Sequence, residues 1–420
     1  ILSRQNCLKM NLCSLRLLSS SRTRLALVAQ QKKRPESSVF GCGLSASGAL
    51  AIPALVVQNK CVTSREVHKV VRIQFCNKHE IQMVACGFGF SLFASRKKLY
   101  GSGLNNRLQV AGRLTKESNS VDYYISGRKI GGLPRDGCIR GVSAGRAHSL
   151  VVIDDRVYAF GDNTFGQCGI DPSMRSEVVA SEDEALPEVA IPSSSPPLSV
   201  HCALDTSFIL TEAGEVFAFG LNEDGQCGSG QSSIESRPFR VSGDLEGEKI
   251  QSIHGSSDTI FAISKNGEVF IWGQNSHNQG GSALSSHLQL RFPRCLPFSL
   301  PKILSAAVSA TSCVLLTTER EELSWGVGVL GFGPDVVELN RPALLAPSLF
   351  HDTRIQLLFG GHSCTAAVNE KGETFVWGRN RFGMLCLGHL NDQLFPLPLF
   401  LSLPVRQVSI GPDHLLLLAR

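Results

Sequence analysis

The sequence predicts an all-β protein, a seven-bladed β-propeller closed by N- and C-terminal strands that share one blade. Three observations predict it. A short aliphatic–aromatic segment ending in glycine recurs seven times. A second, glycine-led element recurs at a fixed distance before it. At the two ends of the chain the elements are out of phase, as a closed ring requires.

The first element runs Val39-Phe40-Gly41-Cys42-Gly43, Leu99-Tyr100-Gly101-Ser102-Gly103, Val157-Tyr158-Ala159-Phe160-Gly161 and Val216-Phe217-Ala218-Phe219-Gly220. It continues as Val269-Phe270-Ile271-Trp272-Gly273, a degenerate Leu323-Ser324-Trp325-Gly326, and Thr374-Phe375-Val376-Trp377-Gly378. A period of 50 to 60 residues fits one four-stranded blade per repeat. Ala213-Gly214-Glu215, Asn266-Gly267-Glu268 and Lys371-Gly372-Glu373 precede three of the copies and supply the positive φ of tight hairpins. Asparagine follows the final glycine by two places at Asn105, Asn163, Asn222, Asn275 and Asn380, and a second glycine often follows by five. Each repeat is therefore expected to be a run of short antiparallel strands.

The second element is Gly-x-x-(His or small), 16 or 17 residues before each anchor glycine: Gly87–Phe90, Gly145–His148, Ala203–Thr206, Ser256–Thr259, Ser309–Ser312 and Gly361–Cys364. A further copy, Gly411-Pro412-Asp413-His414, stands at the C-terminus with no anchor after it, while Gly43 has no copy before it. The chain opens with the second half of a repeat and ends with the first half. Joining the halves in one blade removes exposed sheet edges.

Residues 1–36 carry eight basic groups and one acid, so the net charge of +5 belongs to this leader; the remaining 384 residues sum to −2. The leader is Arg/Ser/Leu-rich and lacks the apolar core of a secretory signal, which predicts a mitochondrial transit peptide, with Met10 as a fitting start. The rest, 37–420, is read as the propeller, in the matrix or on the matrix face of the inner membrane. Fourteen cysteines show no Cys-x-x-Cys pair and no zinc-type spacing, so they are read as small buried hydrophobes in a reducing compartment rather than a disulfide framework. No run of apolar residues is long enough to span a bilayer, leaving peripheral membrane association as the membrane option.

Catalytic motifs are absent: no phosphate-binding Gly-x-x-x-x-Gly-Lys loop, no His-Glu-x-x-His, no Gly-x-Ser-x-Gly. No catalytic residues, metal or cofactor are predicted. The repeat histidines His148 and His414 read as ring nitrogens bonded to a turn within their own blade, and Asp154-Asp155 as a solvated hairpin corner.

The E-V-F-x-W-G, N-x-x-G-Q and G-x-x-H-S motifs over residues 37–420 resemble the regulator of chromosome condensation propeller family. Within it, the leader, Ala144-Gly145-Arg146-Ala147-His148-Ser149-Leu150, Phe292-Pro293-Arg294-Cys295-Leu296 and the closing Gly-x-Asp-His are similar to a mitochondrial, exchange-factor-like branch. The resemblance implies guanine-nucleotide exchange on a GTPase without covalent chemistry. The family positions that face the GTPase map onto Arg146, His148, Asp205, Asp413 and His414. Thr206, Thr259 and Cys364 stand where histidine would be and Arg146 replaces an acid, so an interface for Ran is not expected to survive. The implied partner is a mitochondrial GTPase, such as the dynamin-like fusion GTPase of the inner membrane.

A second function class follows from charge. Residues 37–141 carry 15 basic and 5 acidic groups, and residues 142–270 carry 7 and 20, which predicts a positive arc beside a negative one. Arg96, Lys97, Lys98, Arg107, Arg113, Arg128 and Lys129, with Tyr123 and Tyr124 interleaved, are candidates for facing mitochondrial ribosomal RNA or a mitoribosome assembly intermediate. The acidic stretch 171–199 reads as a solvated insertion or a dock for a basic partner. A non-catalytic scaffold is the third reading.

Overall fold

The computed structural model describes residues 37–58, 61–62, 66–110 and 123–420, with the side chains of 57–65 left aside. The leader and Arg113 lie outside the described residues. Ser37–Arg420 forms one compact unit.

Seven four-stranded antiparallel sheets follow one another along the chain. Blade 1 consists of Met83–Cys86, Phe90–Ala94, Leu99–Leu104 and Tyr123–Lys129, from the ring axis outward. The innermost strands of blades 2 to 6 are Ile139–Ala144, Pro197–Ala203, Ile250–His254, Ile303–Val308 and Ile355–Gly360. Blade 7 takes Val405–Ile410 and His414–Ala419 from the C-terminus and Ser38–Leu44 and Glu66–Arg72 from the N-terminal part. Ser38–Leu44 pairs antiparallel with His414–Ala419, Ser38 opposite Ala419 and Gly43 opposite His414. The predicted closure is therefore the observed one. Among the described residues no helix is long and apolar enough to cross a membrane.

The repeat motifs have local physical causes. All seven anchor glycines, from Gly43 to Gly378, have φ between 86° and 122°, a region L-residues avoid. A Cβ at Gly103 would lie 2.3 Å from the Gly89 carbonyl oxygen, and at Gly161 2.5 Å from that of Ala147. The third strand must pass that close to the turn before the second, so only glycine fits. The asparagine two places later closes the next turn: Asn163 Oδ1 accepts from the Cys168 N–H at 2.9 Å, Asn222 from Cys227 at 2.9 Å, and Asn380 from Leu385 at 2.9 Å.

Blades are joined by apolar packing and by a few polar links. Trp272, Trp325 and Trp377 are fully enclosed. Trp272 Nε1 donates to the Gln226 carbonyl of the preceding blade and Trp325 Nε1 to that of Gln279, both at 2.8 Å. The ring buries its large apolar body while its one donor is satisfied across the blade boundary.

Two expectations are corrected. Cys42 and Cys386 form a disulfide with Cα atoms 5.6 Å apart, linking the third strand of blade 7 to the turn that follows the third strand of blade 6. The pairing joins residues 344 positions apart, and neighbouring cysteine spacings gave no sign of it. The other described cysteines are free, and most are buried. The repeat histidines, in turn, both reach a serine of the next blade through Nε2, and only His414 also bonds a turn of its own blade, through Nδ1 to Asp413.

The acidic stretch is also better ordered than its composition implies. Blade 2 has a fourth strand of only two residues, Glu177–Val178, extended by the single bridge Tyr158–Glu188. Val178, Ala180, Leu186 and Val189 are buried beneath it. Its carboxylates are taken up locally: Glu177 by Arg107 (3.7 Å), Glu182 by Lys129 (3.8 Å), Glu184 by Arg175 (3.4 Å) and Glu188 by Arg156 (3.1 Å).

Candidate functional site: the two faces of the ring

In each blade the connections between strands 1 and 2 and between strands 3 and 4 open on one face, here called the corner face. The connections between strands 2 and 3, and from strand 4 to the next blade, open on the opposite hairpin face. This follows from the pairing: in blade 1, Phe90 opposes Gly103 at the corner end and Ala94 opposes Leu99 at the hairpin end. The Gly-x-x-His corners all fall on the first face.

There the five residues mapped onto the GTPase-facing positions meet different fates. Arg146 is half-exposed, and its Nε lies 3.1 Å from Oδ2 of Asp205 on the corner of the next blade. Asp205 is almost completely buried and its Oδ2 has no aligned hydrogen-bond donor, so the contact is charge against charge. Burial raises the Asp205 carboxyl, Arg146 opposes that, and Asp162 adds to it. One corner further, Asp258 is pushed up to about 6 by burial and by the nearby Asp224 and Asp205 carboxylates. Its Oδ1 accepts from Gln226 Nε2 at 3.0 Å. Arg146 is thus the cation of an acidic sector of the corner face.

The remaining three candidates do not present themselves to a partner. His148 is enclosed, with Nε2 2.9 Å from Ser207 Oγ of blade 3. Burial lowers its pKa to about 4, against the pull of Asp162. His414 is equally enclosed, with Nε2 2.7 Å from Ser91 Oγ of blade 1 and Nδ1 2.8 Å from Asp413 Oδ1. The same Asp413 oxygen accepts from the Gly89 N–H at 3.2 Å. Burial favours the neutral His414 ring, but Cys86 and Asp413 outweigh it and raise the pKa to about 10. Serine, histidine and aspartate stand in a row here, as in a nucleophile triad. All three are buried where blades 7 and 1 meet, so the row is a polar seam of the closure.

Two openings lie on or below the corner face. A cleft of about 330 Å³ is lined by Phe88, Leu104, Arg107, Arg146, Phe165 and Asp205. Phe88 is 47% exposed there, an apolar contact flanked by two arginines, and no sequence argument had singled it out. Its signal was available: the Gly-x-x-His corner of blade 1 carries Phe88 between two glycines. The second opening is a cavity of about 250 Å³ on the ring axis, lined by backbone and by side chains including Cys86, His201, His254, His362 and Gln407. His201 Nε2 donates to the Gly255 carbonyl at 2.6 Å, so its proton sits on that nitrogen. Burial lowers His201 to about 4 and His254 to about 3. Among the described residues no group of three or more His, Cys, Asp or Glu could hold a metal ion.

The predicted positive arc is divided between the faces. Arg96, Lys97 and Lys98 form the hairpin-face turn of blade 1 and are all exposed. Arg107 is on the corner face, already paired with Glu177, and Lys129 is paired with Glu182. Arg128 lies 5.6 Å over the Tyr124 ring. The acidic stretch folds against this arc and neutralises part of it, which residue order along the chain cannot reveal.

The fold and its corners define a repeat propeller whose charged loop corners are gathered on one face. Models of the regulator of chromosome condensation (RCC1) repeat match residues 213–263 and 371–418, and a second model of that repeat matches 139–167. The chain belongs to the RCC1-repeat family. It is 34% identical to the RCC1-like G exchanging factor-like protein of Mus musculus over 405 residues, 91% of this chain and 87% of the mouse one. The Homo sapiens protein of that name matches equally, at 34% over 407 residues. Among solved structures, human WBSCR16 superposes with a TM-score of 0.83 at 32% identity, covering 91% of this chain and 99% of that one. Prp20p of Saccharomyces cerevisiae, studied for its binding to Gsp1p and histones, shares the fold at a TM-score of 0.72 and 18% identity, covering 92% of each chain.

Proposed function

We propose that this chain is an exchange-factor-like regulator that holds a mitochondrial GTPase, of the inner-membrane fusion dynamin type, against its corner face. The observation that carries the reading is the Arg146–Asp205 pair beside Phe88, in a chain similar to G exchanging factor-like proteins. Exchange needs no bond-breaking residue. A factor that binds the nucleotide-free GTPase more tightly than the loaded one weakens nucleotide affinity by the same ratio. Arg146 offers a half-exposed guanidinium, and Asp205 a buried carboxylate that a partner's anion uncovers by drawing Arg146 away.

The test is release of labelled GDP from the purified GTPase in the presence of the full chain. Acceleration is expected, reduced about tenfold or more by Arg146→Glu, which places like charges at a contact. Unchanged release with the wild-type chain overturns the reading. The leader's composition supports a mitochondrial address, which import into isolated mitochondria tests directly.

The second reading, ribosomal RNA binding in mitoribosome assembly, is favoured by Arg96, Lys97 and Lys98 standing together and exposed. Crosslinking to mitochondrial ribosomal RNA that weakens steeply with salt, and that is lost on neutralising these three, would support it.

A further inference from the structure

The hairpin face carries a feature that neither reading uses. Phe400 is 95% exposed, the most exposed large apolar side chain among the described residues. It lies in the connection from blade 6 to blade 7, where Leu399 ends one strand and Val405 begins the next. This loop is firmly seated. Leu401 and Leu403 pack against the core at the blade 6–7 boundary. The Val405 N–H donates to the Gly372 carbonyl at 2.8 Å, and the Arg420 N–H to the Pro404 carbonyl at 3.0 Å. Phe400 therefore projects from an anchored segment, with the partly exposed Leu397 nearby in sequence.

The hairpin of its own blade is mixed in charge, with Lys371 between Glu370 and Glu373, all exposed, whereas the next two blades have one prevailing sign. At the hairpin end of blades 7 and 1, Arg72, Lys78, Arg96, Lys97, Lys98 and Arg406 are all exposed, with Glu80 and Asp136 as the acids among them. Among the described residues none of these six is in an ion pair with a carboxylate; Arg72 donates to Ser38 Oγ and Arg96 to Cys138 Sγ. On blades 2 and 3 the same face turns acidic, with Asp154, Asp155 and Glu212 gathered around Arg140. The face is thus polarised, and its basic sector borders the protruding phenylalanine.

We propose that this sector docks the surface of an anionic lipid bilayer, with Phe400 inserted among the acyl chains and the basic groups held at the headgroups. A folded domain without a spanning segment adheres by combining a small apolar insertion with electrostatic attraction. Both components are present on one face here. A lone ring such as Phe400 also stacks on a base, but its neighbours Leu399, Leu401, Pro398, Leu403 and Pro404 are all aliphatic and offer neither a second stacking ring nor a hydrogen bond, which favours acyl chains over bases. The inference stands apart from the exchange reading, because the corner face with Arg146 and Asp205 is the opposite one.

The experiment is co-sedimentation of the full chain with phosphatidylcholine vesicles, with and without a large fraction of cardiolipin, at low and high salt. Binding is expected only with cardiolipin, weakening as salt rises. Phe400→Ser should weaken it about tenfold, since the insertion of one phenylalanine is lost. Lys97→Glu with Lys98→Glu should weaken it at least fivefold per lysine at low salt. All three positions are exposed, so an unchanged circular dichroism spectrum and melting curve is expected and separates docking from folding. Equal binding to neutral vesicles, no binding to either, or binding indifferent to Phe400→Ser overturns the proposal. So does displacement from vesicles by single-stranded RNA combined with an unaffected Phe400→Ser chain, which assigns the sector to nucleic acid. GDP release measured on the same variants without vesicles is expected to stay unchanged.

Discussion

The boundary between blades 2 and 3 and the boundary between blades 7 and 1 are built from one motif with opposite electrostatics. At the first, His148 reaches Ser207; at the second, His414 reaches Ser91; both rings are enclosed. The residue before the histidine differs. Ala147 leaves His148 Nδ1 without a hydrogen-bond partner among the described residues and the ring neutral, with a pKa of about 4. Asp413 bonds Nδ1 of His414 and helps to hold that ring charged, with a pKa of about 10. A repeat position thus specifies where a ring sits and which serine it meets, while one neighbour decides its charge.

That contrast can be broken most severely at the closure. His414→Ala leaves a buried carboxylate facing a buried serine with nothing between them, and should cost about 3–5 kcal/mol in chemical denaturation. His148→Ala should cost less, about 1–3 kcal/mol, because Ser207 keeps its bond to the Gln167 carbonyl at 2.7 Å. Equal losses would mean that Asp413 adds nothing to the closure.

Next in size is the pH dependence. A histidine held below its ordinary value stabilises fully above about pH 6.5, and the benefit is lost as pH falls through its folded value. With His148 near 4, the stability lost on acidification is about 3 kcal/mol. His201 and His254 act in the same direction. His148→Gln should therefore lose less stability than the wild type between pH 6.5 and 4 in parallel urea titrations. His414 behaves inversely: its contribution is complete below about pH 6.5 and disappears as pH rises through about 10. Asp413→Asn should shift that alkaline loss to lower pH.

The smallest expected effect is a gain. Glu322 occupies the strand position held by Val157, Val216 and Val269 in other blades, is buried, and leaves Oε1 unbonded among the described residues. Burial raises its pKa to about 7. Glu322→Val should raise stability by about 1–2 kcal/mol at pH 8 and by less at pH 5, where the folded-state acid is protonated and no charge is buried. A melting temperature that rises equally at both pH values would point to packing rather than charge.

The blade count, the closure and the turn positions were legible in the sequence because backbone geometry dictates them residue by residue. Gly103 and Gly161 are required by a close approach, and Asn163 and Asn222 by a turn five residues long. The site was less legible, because its contacts cross blades. Arg146 meets Asp205 from a corner 59 residues away, and Cys42 meets Cys386 from the far end of the chain. Residue order also follows the ring and not its faces. The basic run from Arg96 to Lys129 therefore read as one arc, although it serves both sides and is partly neutralised by Glu177 and Glu182.

The pairing of Ser38–Leu44 with His414–Ala419 also sets a schedule. Ser38–Leu44, the third strand of blade 7, leaves the ribosome long before the second, His414–Ala419. Contacts of such long sequence separation form slowly, and unpaired strand edges invite wrong partners in the interval. Every molecule therefore passes through a stage in which six sheets can assemble while an open seam waits for His414–Ala419. A chain still being translated is held at that stage until His414–Ala419 are free to pair.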